Sequence, residues 1–378
     1  MSAKPWNFHN PVKVIFGTES RKAVVEHLGG QKLLVVTTVR GREQFLNDQL
    51  LGQLKGDLLW VDSVKPNPGI AETQAEIDRL RDRDFDAVLA FGGGSAMDAA
   101  KALAAALTPG LACRDLSTLI EEPTKHLNRP LLPIYAVTTT SGTGAEVTPF
   151  ATIWDHEGRK KLSLASARLF PVTAIVDPEL TYSLPFNATI STSLDAMNQA
   201  FESIWNRNRS PITTLMAARA IGLALEALPR LVADLDDLVA RSMIAETSLL
   251  AGLCISQTRT AICHSISYPL TAHFGLAHGL ACAASMSAVA NTVLAEDANC
   301  LTEVAWHLGI IDPAALVARL DAVLDEINLS TLVASRLPDK KAIMALRDEM
   351  FTPGRSDNFI LPVDQDFLGS IISQLPAR

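Results

Sequence analysis

Residues 85–107 read FDAVLAFGGGSAMDAAKALAAAL: a short apolar run, three glycines and an Ala-rich run, with no break between them. Phe85–Phe91 has the length and composition of a buried strand, and Met97–Leu107 that of a strong helix. Glycines between a strand and a helix let a pyrophosphate approach the backbone, where free N–H groups and the positive helix end stabilise its charge. A plain tight turn also connects two elements in this way, so these residues alone leave both readings open. Asp98 and Lys101 fall on the first helical turns, where Asp98 would cap the helix or orient the loop.

Outward from this segment, Lys32–Thr38, Asp57–Asp62, Leu131–Val137 and Thr173–Asp177 are further short Val/Leu/Ile-rich runs, separated by amphipathic stretches such as Ile70–Asp82. Strands alternating with helices predict a parallel sheet covered on both faces. Phe150–Asp155 and Lys161–Leu164 flank a polar turn and predict a β-hairpin. After Asp177-Pro178 the strand signal fades. Ala188–Asn206, Pro211–Ala233, Leu238–Ser256 and Ala281–Glu296 are long Ala/Leu-rich helical patterns. The expected organisation is an α/β domain with a parallel sheet over residues 1–184 and an all-helical domain over 185–378.

The 378 residues exceed one ordinary core, which agrees with two domains. A net charge of −8 without a basic patch excludes a nucleic-acid partner. No run of 18 apolar residues is present and the N-terminus lacks an apolar signal region, so a cytoplasmic protein without a membrane partner is expected. Five cysteines without CxxC spacing argue against a disulfide framework or a structural zinc site. Cys263, beside His264, reads as a small buried residue ahead of a ligand or nucleophile.

A second polar loop, Thr138-Thr-Thr-Ser-Gly-Thr-Gly144, follows the Leu131–Val137 strand, at the carboxyl end where open α/β sheets bind ligands. In the helical half, Asp195 and Gln199 share a helix face, with Glu202 one turn further on. His264 opens another helical stretch with Tyr268 at i+4, and His278 stands 14 residues on, in an Ala-His-Gly turn. A carboxylate and imidazoles brought together suit a divalent metal, but lone histidines are as often satisfied core or capping groups, and His273 reads as one of these.

Taken together, the chain resembles the iron-containing (group III) alcohol dehydrogenase family over essentially its full length. The matching segments are Asn10-Pro-Val-Lys-Val-Ile-Phe-Gly17, Asn67-Pro68, Gly92-Gly-Gly-Ser-Ala-Met-Asp98-Ala-Ala-Lys101, Thr139-Thr-Ser-Gly-Thr-Gly-Ala-Glu146, Val176-Asp-Pro178, Leu194-Asp-Ala196 and the segment holding His264 and His278. The resemblance implies a dinucleotide-binding α/β domain, a helical domain, a metal-bound cleft and a homodimer. It implies that Gly93, Gly94, Ser95 and Asp98 hold the pyrophosphate and that Thr139, Thr140, Thr148 and Lys161 contact the rest of the dinucleotide. It places Asp195, Gln199, His264 and His278 at the four metal positions, for iron(II) first and zinc second.

Two residues depart from the family pattern. Gln199 stands where histidine is usual and offers a neutral oxygen, a weaker donor for iron or zinc than imidazole. Tyr268 stands where many members carry a further histidine near the substrate. With the Gln257-Thr-Arg259-Thr260 run, these departures resemble the phosphonoacetaldehyde reductase branch, and Arg259 with Thr260 would grip an anionic group. The implied activity is NAD(P)-dependent, metal-assisted reduction of a small anionic aldehyde, with His264, His278, Tyr268 and Arg259 at the chemistry. Carboxylated or sulfonated aldehydes, and a metal-free reductase of the maleylacetate type, are the alternatives. A dehydroquinate synthase-type lyase and a silent binding protein fit the motifs less well. After the Lys32–Thr38 strand, Thr38 stands near the ribose position and is followed by Arg40 and Arg42, which leaves NADP open beside NAD.

Overall fold

A computed structural model describes residues 5–158 and 160–376. Among the described residues the chain forms eight strands: β1 (Lys13–Phe16), β2 (Lys32–Val36), β3 (Asp57–Val61), β4 (Ala87–Gly92), β5 (Ile134–Thr138), β6 (Phe150–Asp155), β7 (Lys160–Ala165) and β8 (Thr173–Val176). Six of them form a parallel sheet in the order β1-β8-β5-β4-β2-β3. β6 and β7 pair as an antiparallel hairpin, at the place the sequence predicts one.

The sheet is buried on both faces, and the side-chain alternation of its central strands shows how. Leu34, Val36, Val88, Ala90 and Ala136 join one hydrophobic cluster, which includes the apolar side of the helix Gly94–Leu107. Leu33, Val35, Leu89, Phe91 and Val137 join a second cluster with the helix Lys22–Leu28 and Phe45. Gly92 pairs with Thr138, and Val36 with Ala90, so the carboxyl ends of β2, β4 and β5 lie side by side. β1 is a strand the apolar pattern did not reveal. It is a four-residue edge strand whose side chains are mostly exposed, so it carries no apolar run.

By contacts the chain divides into two compact units. One comprises residues 11–140 and 144–183; the other comprises residues 184–378, with the segment up to Asn10 and Ser141–Thr143. The second unit is helical, built on Phe186–Ile204, Pro211–Ala233, Leu238–Thr258, Ile262–Phe274 and His278–Glu296, around one apolar core. Ser210 and Thr213 form a reciprocal capping box, which with Pro211 at the first helical position fixes where the second of these helices starts. Leu238–Thr258 and His278–Glu296 are long and apolar enough, by composition, to cross a membrane. The expectation from uninterrupted apolar runs overlooked this, because Arg241, Glu246 and scattered serines and threonines break the runs without lowering the mean hydropathy below the threshold. Most of each span is buried inside the helical core.

Two helix starts differ from expectation, and both matter for the site. The Gly-rich loop enters its helix at Gly94, not Met97, so Gly93 is the N-cap and Asp98 is too far along to cap it. The helix after the Ala-His-Gly segment begins at His278 itself, which places Cys282 one turn later on the same helix.

Candidate functional site

The Gly-rich segment leaves β4 at Gly92, whose φ of +156° favours glycine. A Cβ on Gly93 would stand 2.7 Å from Thr140 Oγ1, so the two loops approach closely only because this position has no side chain. Gly93 gives the helix Gly94–Leu107 no side-chain cap, which leaves its first N–H groups available to an anion. Thr139 N donates to Gly92 O at 3.0 Å and locks the second loop against the first. Gly93, Gly94, Ser95, Thr139 and Thr140 thus sit together at the carboxyl ends of β4 and β5. A close-packed glycine cradle at an uncapped helix start fits a dinucleotide pyrophosphate.

The remaining predicted cofactor residues are already engaged. Thr38 accepts from Gly41 N at 3.0 Å as the N-cap of the helix Val39–Asn47. Thr148 is 0% exposed, and its hydroxyl contacts Lys101 Nζ at 3.2 Å and Ala145 O at 3.4 Å. Its hydroxyl is thus engaged within the protein. Lys101 is itself 1% exposed. Its ammonium also donates to the carbonyls of Ala145, Thr148 and Phe150 at 2.7–2.8 Å and so pins the chain between the second loop and β6. Asp98 is half-buried; burial pushes its carboxyl up to about 6, against the opposing pull of Lys101, a hydrogen bond from the Thr152 backbone, and Lys161. Arg42 forms an ion pair with Asp62 at 2.7 Å and lies over the Trp60 ring, while Arg40 donates to Ser183 O. Both arginines that could take a 2′-phosphate have protein partners.

In the helical unit, three helices bring donors together. Asp195 comes from Phe186–Ile204, His264 from Ile262–Phe274, and His278 and Cys282 from the first turns of His278–Glu296. One ligand atom from each of the four lies within 4.8 Å of the others. The approach depends on Gly279, where a Cβ would meet Ser191 O at 1.7 Å. Only glycine lets the start of this helix press against the backbone of the Asp195 helix. The His264 and His278 rings meet edge-on at 5.2 Å.

Glu202, 0% exposed, is the organising group that sequence reasoning underrated. Its Oε2 accepts from Ala261 N at 2.9 Å and its Oε1 from His264 N at 3.0 Å, capping a helix whose own N-cap, Ala261, has no side chain to do so. The same carboxylate lies 2.6 Å from His264 Nδ1. A carboxylate only accepts, so the Nδ1 proton lies in this bond and Nε2 is aimed at Asp195 Oδ1, 3.4 Å away. The i, i+4, i+7 spacing of Asp195, Gln199 and Glu202 was the available signal.

The charges reflect this crowding. Burial alone would raise the Asp195 carboxyl, but His264 and His278 hold it below its usual range, and a hydrogen bond from Gln199 adds to this. Burial likewise opposes protonation of His264, yet Cys282, Glu202 and Asp195 raise its pKa well above the ordinary histidine value. Burial pushes the Cys282 thiol up, and the two histidines outweigh it, leaving it lowered to about 7. The neighbouring Cys263 is pushed up by burial with no such compensation, an inert core thiol.

Gln199 Oε1 is buried with no hydrogen-bond partner, and Asp195 Oδ1 has only the 3.4 Å approach of His264 Nε2. A buried acceptor left poorly satisfied costs on the order of 1–3 kcal/mol, and a cation beside Asp195 would relieve that cost. The donor set of one carboxylate, two imidazoles and a sulfur fits iron(II) or zinc.

Beyond the donors, the Tyr268 ring stacks on His278 at 6.3 Å and 17°. Tyr268 Oη accepts from Arg355 Nε at 3.1 Å. Arg355 in turn acts on Arg259: burial and then the Arg355 charge lower the Arg259 guanidinium to about 10. Arg259 holds φ +62° and ψ 178°, a conformation almost confined to glycine and costing on the order of 1–3 kcal/mol. The buried Thr260 Oγ1 beside it has no hydrogen-bond partner. Arg355 lies outside every motif, so nothing in the sequence joined it to Arg259. His273 bonds Glu349 at 2.9 Å at the surface, away from this cluster's donors.

A sequence profile described as iron-containing alcohol dehydrogenase matches residues 11–178, and a second, for the C-terminal part of the Fe-containing alcohol dehydrogenase family, matches residues 189–344. An NAD-dependent methanol dehydrogenase of Bacillus methanolicus is 28% identical over 353 residues, 91% of this chain and 90% of that protein. A phosphonoacetaldehyde reductase of Streptomyces viridochromogenes is 39% identical over 226 residues, which span 59% of this chain and 57% of that protein. Among solved structures, the sulfoacetaldehyde reductase of Bifidobacterium kashiwanohense in complex with NAD+ superposes with a TM-score of 0.87 over 99% of both chains, at 29% identity.

Proposed function

The chain belongs to the iron-containing alcohol dehydrogenase family, oxidoreductases acting on CH–OH groups with NAD, and from that premise we propose that it reduces a small anionic aldehyde to the primary alcohol. The observation that carries the choice of substrate is the run from His278 through Tyr268 to Arg355 and Arg259. It links the candidate donor His278 through Tyr268 to the Arg355 guanidinium, which in turn acts on Arg259, next in the chain to the buried Thr260 hydroxyl. Guanidinium forks match the oxygens of a phosphonate, sulfonate or carboxylate. The phosphonoacetaldehyde and sulfoacetaldehyde reductases among the relatives agree with this reading.

Asp195, His264 and His278, with Gln199 or Cys282, would hold a divalent metal, which would offer Lewis acidity toward a carbonyl oxygen, as NADH would offer the hydride. The protein's own part is orientation and charge. Arg259, Arg355 and Thr260 hold the anionic end and so direct the aldehyde toward the His278 side. Glu202 fixes the His264 ring, and Gly93, Gly94 and Ser95 with Thr139 and Thr140 hold the dinucleotide. Tyr268, whose Oη accepts from Arg355, is placed to give the proton that converts the reduced carbonyl to the alcohol. Because Arg40 and Arg42 are engaged by Ser183 and Asp62, the proposed cofactor is NAD rather than NADP.

NADH oxidation with phosphonoacetaldehyde, sulfoacetaldehyde and propanal tests the proposal. The acidic aldehydes should be preferred, and Arg259→Ala and Arg355→Ala should each lower kcat/KM for them about 10- to 100-fold, the range of one lost charge-assisted bond. With Arg259→Ala, propanal turnover should change only a few-fold, whereas Arg355→Ala, which removes the bond to Tyr268 Oη, should lower it as well. Equal losses for charged and neutral aldehydes in Arg259→Ala would refute the anion site.

A further inference from the structure

We propose that Cys282 is a ligand of the metal, its sulfur joining Asp195, His264 and His278 in the donor place that histidine would fill at position 199. The sulfur lies 3.9 Å from both ring nitrogens of His278 and within 4.8 Å of the chosen donor atoms of Asp195 and His264. Donors of one tetrahedral metal, with bonds of about 2.0–2.3 Å, stand about 3.5 Å apart. The four atoms therefore need to close by only a few tenths of an ångström to about one ångström. His278 and Cys282 are i and i+4 on the first turns of one helix, so they share a face.

Gln199 takes the complementary part. Its only donor is the amide nitrogen and Asp195 only accepts, so the hydrogen bond between them runs from the glutamine to the carboxylate. Gln199 thereby positions Asp195 through a neutral amide. Gln199 is 3% exposed, and its Oε1 has no hydrogen-bond partner. The sulfur is buried with them and no other cysteine joins the group among the described residues. A thiolate in place of an imidazole makes the site softer, favouring zinc and cobalt more than a three-histidine site does.

X-ray absorption on the full-length protein loaded with zinc, and separately with iron(II), gives the direct reading. One sulfur scatterer at about 2.3 Å is expected. Cobalt(II)-loaded protein should show a near-ultraviolet sulfur-to-cobalt charge-transfer band. Cys282→Ser should abolish it, while Cys263→Ala should keep it. Zinc affinity of Cys282→Ser should fall at least about 10-fold, measured by competition with a chromogenic chelator. A wild-type shell of nitrogen and oxygen alone would overturn the proposal whatever the variants do, as would a protein that takes up none of the three metals. These readings do not depend on which aldehyde is reduced.

Discussion

In the α/β unit the candidate contacts are backbone groups and short hydroxyls at strand ends, whereas in the helical unit they are side chains projected from three helices into one buried point. The two units are supported in the opposite sense. The glycine cradle rests on a buried side chain, Lys101, whose ammonium ties Ala145, Thr148 and Phe150 together. The side-chain cluster rests on a position with no side chain, Gly279, which admits the Ser191 backbone. A pyrophosphate is recognised by many weak donors on a scaffold that must not intrude, and a metal by a few strong donors that must converge.

This contrast makes three expectations. Gly279→Ala should have the greatest effect, because its Cβ would stand 1.7 Å from a carbonyl oxygen and the helices must part. A loss of about 3 kcal/mol or more is expected in urea unfolding, together with loss of bound metal. An unchanged midpoint and metal content would mean that the close approach is dispensable. Lys101→Met should follow, at about 2–3 kcal/mol, since three carbonyls lose their donor. Its particular mark should be weaker NADH binding with metal content preserved, read by fluorescence titration and elemental analysis; the reverse pattern would erase the distinction between the two supports. Glu202→Gln should have the smallest effect on folding and a specific one on the metal. Loss of the charge facing His264 Nδ1 should weaken binding about 10- to 100-fold, seen by chelator competition. An unaltered affinity would reduce Glu202 to a helix cap.

The elements themselves were largely legible. Pro211–Ala233 begins and ends where its helical pattern does, since its start is fixed locally by Ser210, Pro211 and Thr213. The hairpin and the other five strands of the parallel sheet were equally readable from apolar runs. β1 was not, because an exposed edge strand has no burial to write into its sequence. Cys282 escaped notice because Asp195 and His264 lie on other helices and the helix it shares with His278 was expected to start only at Ala281, while Cys263, beside His264 in sequence, points into the core. Neighbours along a helix diverge by about 100° each, so adjacency in sequence says little about adjacency in space.

By itself the sequence determined the family, the parallel sheet, the helical half and the candidate residues Asp195, Gln199, His264 and His278, because motifs and periodicity are local properties. Only the tertiary structure decided which polar groups serve and which are served. It gave Glu202 to His264, Gln199 to Asp195, Lys101 to the loop carbonyls, Arg355 to Tyr268, and Cys282 to the metal cluster. Those assignments depend on distances of a few ångströms between residues up to 87 positions apart, as in His264 to Asp195 at 69 and Cys282 to Asp195 at 87, and only helix packing sets them.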